Sequence, residues 1–316
     1  MPELALVTRR GFVEGAVTGV AAGALSAAVH AEDPDKSKKI NVVVWDEQQP
    51  AQKEAYPNFL GNWIAKYLEA QPGLSVKSVK LDDPQQGLAD DVMRGCQVLI
   101  WWGHVRNGEI KPETARPLID RIKAGALSLI ALHSAHWSTP FVEAMNERTR
   151  LDVAKTFPAI DGERVDVNYI APAPRYTVPK ADARLTPVVV PRKFPDGTTR
   201  LTVHLPICCF PAYRADGKPS RVKILKPMHP IVRDVPAEFT LPHTEMYDEP
   251  FHIPEPDEVI LEERWANGEW FRSGIVWQLG KGRVVYLRPG HETFAVYKEK
   301  PMLQILDNAV RWLGRE

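Results

Sequence analysis

Residues 127–136 read LSLIALHSAH, an apolar run that ends abruptly in a polar segment with two histidines. A short apolar run of this kind is typical of a strand that is buried on both faces of a sheet. Residues 98–104 (VLIWWGH) and 283–292 (RVVYLRPGHE) repeat the pattern of an apolar run, a turn and a histidine. Ligands of open α/β sheets bind just beyond the carboxyl ends of the strands. The three segments therefore predict one crevice in which imidazoles converge.

The chain around these segments alternates between strand and helix patterns. Strand patterns occupy residues 40–45, 75–80, 98–102 and 127–132, and helical patterns occupy 54–70, 83–94 and 112–124. This alternation predicts an α/β fold with a doubly wound, mostly parallel sheet and helices on both faces. Three later strands and a final helix are expected at residues 258–265, 273–278, 283–287 and 302–313.

Residues 150–221 interrupt the alternation. They are rich in proline and charge, and their apolar patches at residues 185–190 and 200–205 are weak. We expect a β-rich insertion with one or two antiparallel hairpins, which could form a flap over the crevice. No internal repeat is visible, so residues 40–316 are expected to form one domain that carries this insertion.

The N-terminus has the pattern of an export signal. Residues 8–13 (TRRGFV) resemble the twin-arginine motif, an apolar run rich in Ala and Gly follows at 16–29, and VHA at 29–31 is a small-residue cleavage site. The apolar run is too short to be a permanent membrane anchor. The sequence predicts a signal peptide at 1–31, a polar linker at 32–39 and a periplasmic or otherwise exported mature protein.

Charge composition argues against several partners. Lys and Arg together number 40, as do Asp and Glu, so the chain has no net charge to attract nucleic acid or an acidic membrane surface. A small-molecule ligand in the predicted crevice is the better expectation.

Candidate functional residues lie at the ends of the predicted strands and in one polar loop. His104, His133, Ser134, His136, His291 and Glu292 follow strands. The loop is residues 242–250 (PHTEMYDEP), which contain Glu245 and Tyr247. A carboxylate can orient a neighbouring imidazole, so Glu292 could orient His291. His229 and His252 lack this context, so His252 is expected to be structural and His229 is only a weak candidate.

Taken together, these motifs resemble the ThuA-like, or trehalose-utilisation, family. The resemblance covers about residues 40–150 and 222–314 and rests on residues 101–104 (WWGH), 132–136 (LHSAH), 245–247 (EMY), 251–257 (FHIPEPD), 271–274 (FRSG) and 288–293 (RPGHET). It implies a flavodoxin-like fold of the class I glutamine amidotransferase type and a link to disaccharide or 3-keto-sugar metabolism. Ser134, and no cysteine, stands in the turn after the fourth strand, which excludes glutamine hydrolysis by a Cys–His pair.

The resemblance leads us to expect an enzyme that isomerises, or cleaves by elimination, a 3-keto glycoside with the help of a divalent metal, most simply zinc. The expected metal ligands are His104, His136, Glu245 and His291. The expected catalytic groups are His133, Glu292 and Tyr247, and the expected substrate-binding residues are Trp102, Ser134 and Trp137. A non-catalytic carbohydrate-binding or assembly module and a metal-dependent hydrolase are the alternatives. The sequence is compatible with a homo-oligomer.

Overall fold

The computed structural model describes residues 39–158 and 164–315. The predicted signal peptide and all of the predicted linker except Lys39 lie outside the described residues. The strands are β1 (Ile40–Asp46), β2 (Leu74–Lys80), β3 (Val98–Trp102), β4 (Ser128–Leu132), β5 (Arg164–Ile170), β6 (Val188–Lys193), β7 (Thr198–His204), β8 (Ala212–Arg214), β9 (Ser220–Ile224), β10 (Glu238–Leu241), β11 (Met246–Asp248), β12 (Glu258–Arg264), β13 (Trp270–Leu279) and β14 (Gly282–Leu287). The α-helices are α1 (Leu60–Glu69), α2 (Asp90–Met93), α3 (Pro112–Ala124), α4 (Thr139–Thr156) and α5 (Lys300–Gly314).

A nine-stranded sheet forms the centre of the fold, in the order β10-β9-β12-β13-β14-β4-β3-β1-β2. The five strands from β14 to β2 are parallel. The remaining four continue the sheet in antiparallel pairing from β14 through β13, β12 and β9 to β10. The expected α/β fold with a large central sheet is confirmed, and its parallel half carries the predicted strand-end segments.

Helices cover both faces of the sheet because alternate strand residues point to opposite sides. Ile130 of β4 belongs to the hydrophobic cluster that includes residues of α1 and α5. Leu129, its neighbour, belongs to the opposite cluster, with residues of α3 and α4. Within the described residues, no helix combines the length and apolarity that crossing a membrane requires.

Two helices differ from the sequence expectation. α1 begins at Leu60, after a separate 3-10 turn at Pro50–Glu54, because Pro57 lies between them. α4 continues to Thr156, so the irregular segment begins after residue 156 rather than at about 150. The sequence did not predict α4 because its buried face includes Asn146 and Thr149, which weakens the apolar stripe.

The insertion forms a small sheet of its own. β6 and β7 make an antiparallel hairpin, and β5 pairs with β7 in parallel, which the sequence did not predict. Further along, β8 pairs with β11. This pairing ties the end of the insertion to the loop that contains Glu245 and Tyr247.

Candidate functional site

Four neighbouring strands end side by side at one edge of the sheet. Asp46 of β1, Trp102 of β3, Leu132 of β4 and Leu287 of β14 are consecutive partners across the sheet. The residues that follow these ends form the site, and they are Glu47, His104, His133, Arg288, His291 and Glu292. The ring of His291 lies 5.5 Å from that of His133 and 6.3 Å from that of His104, centroid to centroid. The structure thus brings the three strand-end imidazoles together.

The most buried part of the site is a histidine–carboxylate pair, His133 and Glu245, which we call the inner pair. The Nε2 atom of His133 lies 3.0 Å from Oε2 of Glu245. Its Nδ1 atom lies 2.9 Å from the Arg288 carbonyl oxygen, which can only accept, so Nδ1 carries a proton and the lone pair of the neutral ring is on Nε2. Burial would raise the pKa of Glu245, but the hydrogen bond and charge of His133, with the charges of His291 and Arg288, lower it. Glu245 is therefore ionised at neutral pH.

The turn after β4 presents His133 itself to the site. His133 has a φ of +52°, in the left-handed region that side chains other than glycine rarely adopt. Ser134 also lies in this turn, but the strained position belongs to the residue before it. Ser134 instead donates its hydroxyl hydrogen to the Gly103 carbonyl oxygen at 2.9 Å. The turn therefore offers an imidazole, and not a hydroxyl, to a ligand.

Tyr247 completes the surroundings of His133. Its hydroxyl lies 3.3 Å from Nε2 of His133, and the two rings stack with centroids 5.2 Å apart. Burial raises the pKa of Tyr247 well above its usual value, so the phenol keeps its proton. The phenol can consequently donate to Nε2 when His133 is neutral, and it can accept from Nε2 when His133 is protonated.

A buried arginine, Arg288, holds both members of the inner pair in position. Arg288 forms a two-pronged ion pair with Glu263, in which Nε donates to Oε2 at 2.6 Å and Nη2 donates to Oε1. Neither side chain is exposed. Nη1 of Arg288 donates to the Glu245 carbonyl oxygen, and Nη2 also donates to the Thr244 hydroxyl at 2.8 Å. Because its own carbonyl accepts from His133, Arg288 positions both members of the inner pair.

A second pair, His104 and Glu292, lies nearer the solvent, and we call it the outer pair. Nδ1 of His104 lies 3.0 Å from Oε1 of Glu292. Burial opposes the charged form of His104, but the hydrogen bond and charge of Glu292, aided by Glu245 and Glu47, raise its pKa. Burial likewise opposes ionisation of Glu292, but His104 holds the pKa of this carboxyl at about 2. The outer pair is thus an ion pair up to a higher pH than an isolated imidazole would allow.

Glu47 fixes the loop that carries His104. Its carboxylate accepts the backbone N–H groups of His104, Val105 and Arg106 at 2.7, 3.2 and 3.0 Å. Glu47 is buried, and three amide donors satisfy its charge without a cation. The position of His104 therefore depends on a carboxylate at the end of β1.

His291 lies between the two pairs and is neutral. Burial and the neighbouring His133 lower its pKa to about 4. Its Nδ1 atom accepts the Thr293 backbone N–H at 3.2 Å, so the proton of the neutral ring is on Nε2. Gly290 has a φ of +139°, and a Cβ there would lie 2.9 Å from the ring of Tyr297. The turn before His291 consequently requires glycine.

His136 has surroundings of a different kind. Its Nδ1 atom bonds to the Cys208 carbonyl oxygen at 2.6 Å, and its ring lies among Phe210, Phe251 and Tyr286. Burial lowers its pKa to about 3, so the ring is neutral. These contacts give His136 a packing role in this structure.

The four expected metal ligands, His104, His136, Glu245 and His291, do not form a common ligand set. Across residues 39–158 and 164–315, no group of three or more His, Cys, Asp or Glu side chains is arranged to hold a metal ion. His104 and Glu245 are instead engaged with Glu292 and His133. The zinc site stays a prediction, and no step proposed below uses it.

The expected substrate-binding aromatics occupy two different positions. Trp102 is buried, and its Nε1 donates to the Gly290 carbonyl oxygen at 2.9 Å, which supports the turn before His291. Trp137 is partly exposed and lies with its ring 5.7 Å from that of Tyr176 in the insertion, centroid to centroid. Of the two, only Trp137 is placed to touch a ligand. Trp101 is buried in the core and stacks on Trp45, with the ring centroids 3.8 Å apart.

Sequence reasoning missed three residues that shape the site. Glu47 directly follows β1, so the strand-end argument used for the histidines could have found it. Arg288 belongs to the motif at residues 288–293, but neither it nor Glu263 was expected to be a site residue. Their pairing joins β12 to the residue that follows β14, 25 positions further along the chain, and no local sequence pattern indicates it.

Comparisons with known proteins agree with this architecture. The family model ThuA, described as trehalose utilisation, matches residues 41–313. A ThuA-like protein from Parabacteroides merdae ATCC 43184 is 14% identical, with a TM-score of 0.55 over 88% of this chain and 91% of its own. Another from Bacteroides uniformis ATCC 8492 is 15% identical, with a TM-score of 0.52 over 87% and 91%. At these identities the two structures support the fold alone. No curated protein matched the chain.

Proposed function

The chain belongs to the ThuA family, described as trehalose utilisation, and from this premise we propose that it is an exported enzyme that moves a proton on a 3-keto glycoside. The family supports a role connected with carbohydrates, and the twin-arginine pattern of residues 8–13 supports export. The observation that carries the proposed chemistry is the presence of two histidine–carboxylate pairs at one strand-end edge, with neutral His291 between them.

A ketone at C3 of a sugar makes this arrangement useful because it acidifies the hydrogen on C2. Removal of that hydrogen as a proton gives an enediolate. Transfer of the hydroxyl proton from O2 to O3 and return of a proton to C3 then leave the ketone at C2, which completes an isomerisation. Alternatively, the C1–O bond breaks, a C1=C2 double bond conjugated with the ketone forms, and the leaving oxygen takes up a proton. Both routes need one base, one acid and a donor to the ketone oxygen.

The inner pair supplies the base. In its neutral form, with Nε2 bonded to the Tyr247 hydroxyl, His133 accepts the C2 proton at Nε2. The imidazolium so formed donates the Nε2 hydrogen to the ionised Glu245, which stabilises it. Tyr247 hydrogen-bonds the same nitrogen in either protonation state. Arg288 keeps Nδ1 protonated through its carbonyl oxygen, so the proton is always taken up at Nε2.

The outer pair supplies the acid, and His291 supplies the donor to the ketone. His104 has a raised pKa and can protonate the leaving oxygen, then regain a proton from solvent because it is partly exposed. His291 is neutral with its proton on Nε2, so it can hydrogen-bond the developing enolate oxygen. In this assignment His133 is the base, His104 is the acid and His291 is the hydrogen-bond donor to the ketone oxygen.

The test is to incubate the purified mature protein with 3-keto trehalose in D₂O and to follow the products by mass spectrometry and NMR. We expect either an isomerised ketose with deuterium on C3, or free glucose and an unsaturated keto sugar. His133→Ala should abolish the change, whereas His243→Ala, which alters an exposed histidine bound to the Gly217 carbonyl, should retain it. Recovery of the 3-keto disaccharide unchanged and without deuterium would refute the proposal.

A further inference from the structure

The insertion places Tyr176 against the segments that follow β3 and β4, and we call this contact with Trp137 the rim. Tyr176 is 37% exposed, and its ring contacts Trp137 in edge geometry. A Cβ on Gly108, in the segment after His104, would lie 3.5 Å from the Tyr176 ring. Tyr176 therefore bridges the two segments that follow β3 and β4, which are the segments that carry His104 and His133.

Arg175 anchors this tyrosine to the body of the protein. Its Nη2 donates to the Thr139 hydroxyl at 2.9 Å, and its guanidinium lies 5.5 Å from the centre of the Tyr176 ring. Thr139 is the first residue of α4, so the insertion is attached here to the main fold. The position of Tyr176 is thus fixed by specific side-chain contacts, and its side chain is less exposed than that of Tyr213, which is 60% exposed on β8.

Two N–H donors beside Tyr176 lack acceptors. Nε1 of Trp137 and Nε of Arg175 are buried and have no hydrogen-bond partner among the described residues. A buried donor without an acceptor is costly, and such donors are often completed by a ligand. Sugar hydroxyls are acceptors, and the C–H face of a sugar ring packs on aromatic rings. The rim therefore combines the two kinds of contact that a pyranose ring makes.

We propose that Trp137 and Tyr176 form a subsite for the second sugar ring of a disaccharide, the ring that leaves when the reacting ring is cleaved. This inference rests on the proposed function, and it assigns the insertion a role in selecting substrates by their leaving group. The reacting 3-keto ring lies between the inner and outer pairs, and the second ring extends toward Tyr176. A glycoside with a methyl group in place of the second ring does not reach the subsite.

Kinetics with two substrates that share the reacting ring test the subsite. We compare a 3-keto disaccharide with the corresponding methyl 3-keto glucoside. Tyr176→Ala should lower the ratio of their kcat/KM values about tenfold while changing the methyl glycoside value less than about twofold. Tyr176→Phe should retain the ratio, and Tyr213→Ala is the matched control for loss of an exposed tyrosine. Equal losses for both substrates, or an unchanged ratio, overturn the inference.

Binding separates the subsite from the reaction. Calorimetry with trehalose and glucose needs no turnover. Wild-type protein should bind trehalose about tenfold more tightly than glucose, and Tyr176→Ala should reduce this difference to about twofold. A wild-type protein that binds the two sugars equally overturns the subsite, whatever its activity. A protein that binds as expected but leaves every 3-keto glycoside unchanged overturns the proposed reaction and retains the subsite.

Discussion

The inner and outer pairs contain the same two kinds of side chain at one edge of one sheet, yet they differ in contact with water. The side chains of His133 and Glu245 are 1% and 9% exposed, whereas those of His104 and Glu292 are 38% and 6% exposed. In the inner pair the imidazole is the enclosed member, and in the outer pair it is the carboxylate. The inner imidazole is consequently insulated from solvent protons, and the outer imidazole can exchange with them.

The residues that hold the two pairs in place also differ. The inner pair is held by Arg288, whose guanidinium is neutralised by the equally buried Glu263. The outer pair is held by Glu47, which accepts three backbone N–H groups and needs no cation. A proton taken up inside can therefore be retained through a reaction step, while a proton delivered at the outer pair is replaced from water. This difference predicts unequal effects when each pair is altered.

Loss of the inner imidazole should have the largest effect on activity. His133→Gln removes the atom that accepts the proton, so kcat/KM should fall about 10³-fold. His104→Gln removes an acid that water can partly replace, so its loss should be nearer 10²-fold. Steady-state kinetics of both variants check the order, with circular dichroism to confirm folding. A larger loss at His104 than at His133 would reverse the roles assigned to the two pairs.

Disrupting the support of the inner pair should mainly affect stability. Arg288→Met leaves Glu263 buried without its partner and should lower the free energy of unfolding by about 3–5 kcal/mol. The double variant Arg288→Met/Glu263→Met should recover at least about 2 kcal/mol of this loss, because replacing a whole buried ion pair by apolar groups is often neutral. Urea denaturation measures both values.

Activity then distinguishes positioning from stability. The double variant should stay poorly active, because the Glu245 carbonyl oxygen still lacks the donor that Arg288 supplies. A double variant that regains both stability and wild-type kcat/KM would show that Arg288 does not position Glu245.

The two pairs also show how far the sequence could be interpreted. The apolar runs placed His104, His133 and His291 at strand ends, because burial on both faces of a sheet produces a recognisable local pattern. The carboxylate partner of each histidine could not be predicted from such a local pattern. Glu292 was expected to orient His291, but it lies 3.7 Å from that ring and 3.0 Å from His104, which is 188 residues away in the chain.

Such partners depend on strand register, and register is set by many distant contacts together. The pairing of Leu132 with Leu287 brings the turn of His133 against Gly290. β11 directly follows Glu245, and its partner strand β8 comes from the insertion. The insertion was recognised by composition alone, so its strands could be predicted only approximately. The contact of Tyr176 with Trp137 could not be predicted.

Removing the support of the outer pair should have a moderate effect. Glu47→Ala deprives three backbone N–H groups of their acceptor and should cost about 2 kcal/mol of unfolding free energy. Glu109→Ala is the matched control, because this exposed carboxylate in the same segment pairs with Arg106 alone among the described residues and should matter by less than about 0.5 kcal/mol. Equal effects of the two substitutions in thermal or urea denaturation would contradict the role given to Glu47.

The smallest change expected is a shift in pH dependence when the outer carboxylate is neutralised. Glu292 raises the pKa of His104, so Glu292→Gln should lower it. If protonated His104 is the acid, activity falls as pH rises through that pKa, and the alkaline limb of kcat/KM should move to lower pH in the variant. Glu258→Gln is the matched control, since it removes a carboxylate 3.6 Å from a different histidine, His229. If the alkaline limb does not move in Glu292→Gln, another group gives rise to it and His104 is not the acid.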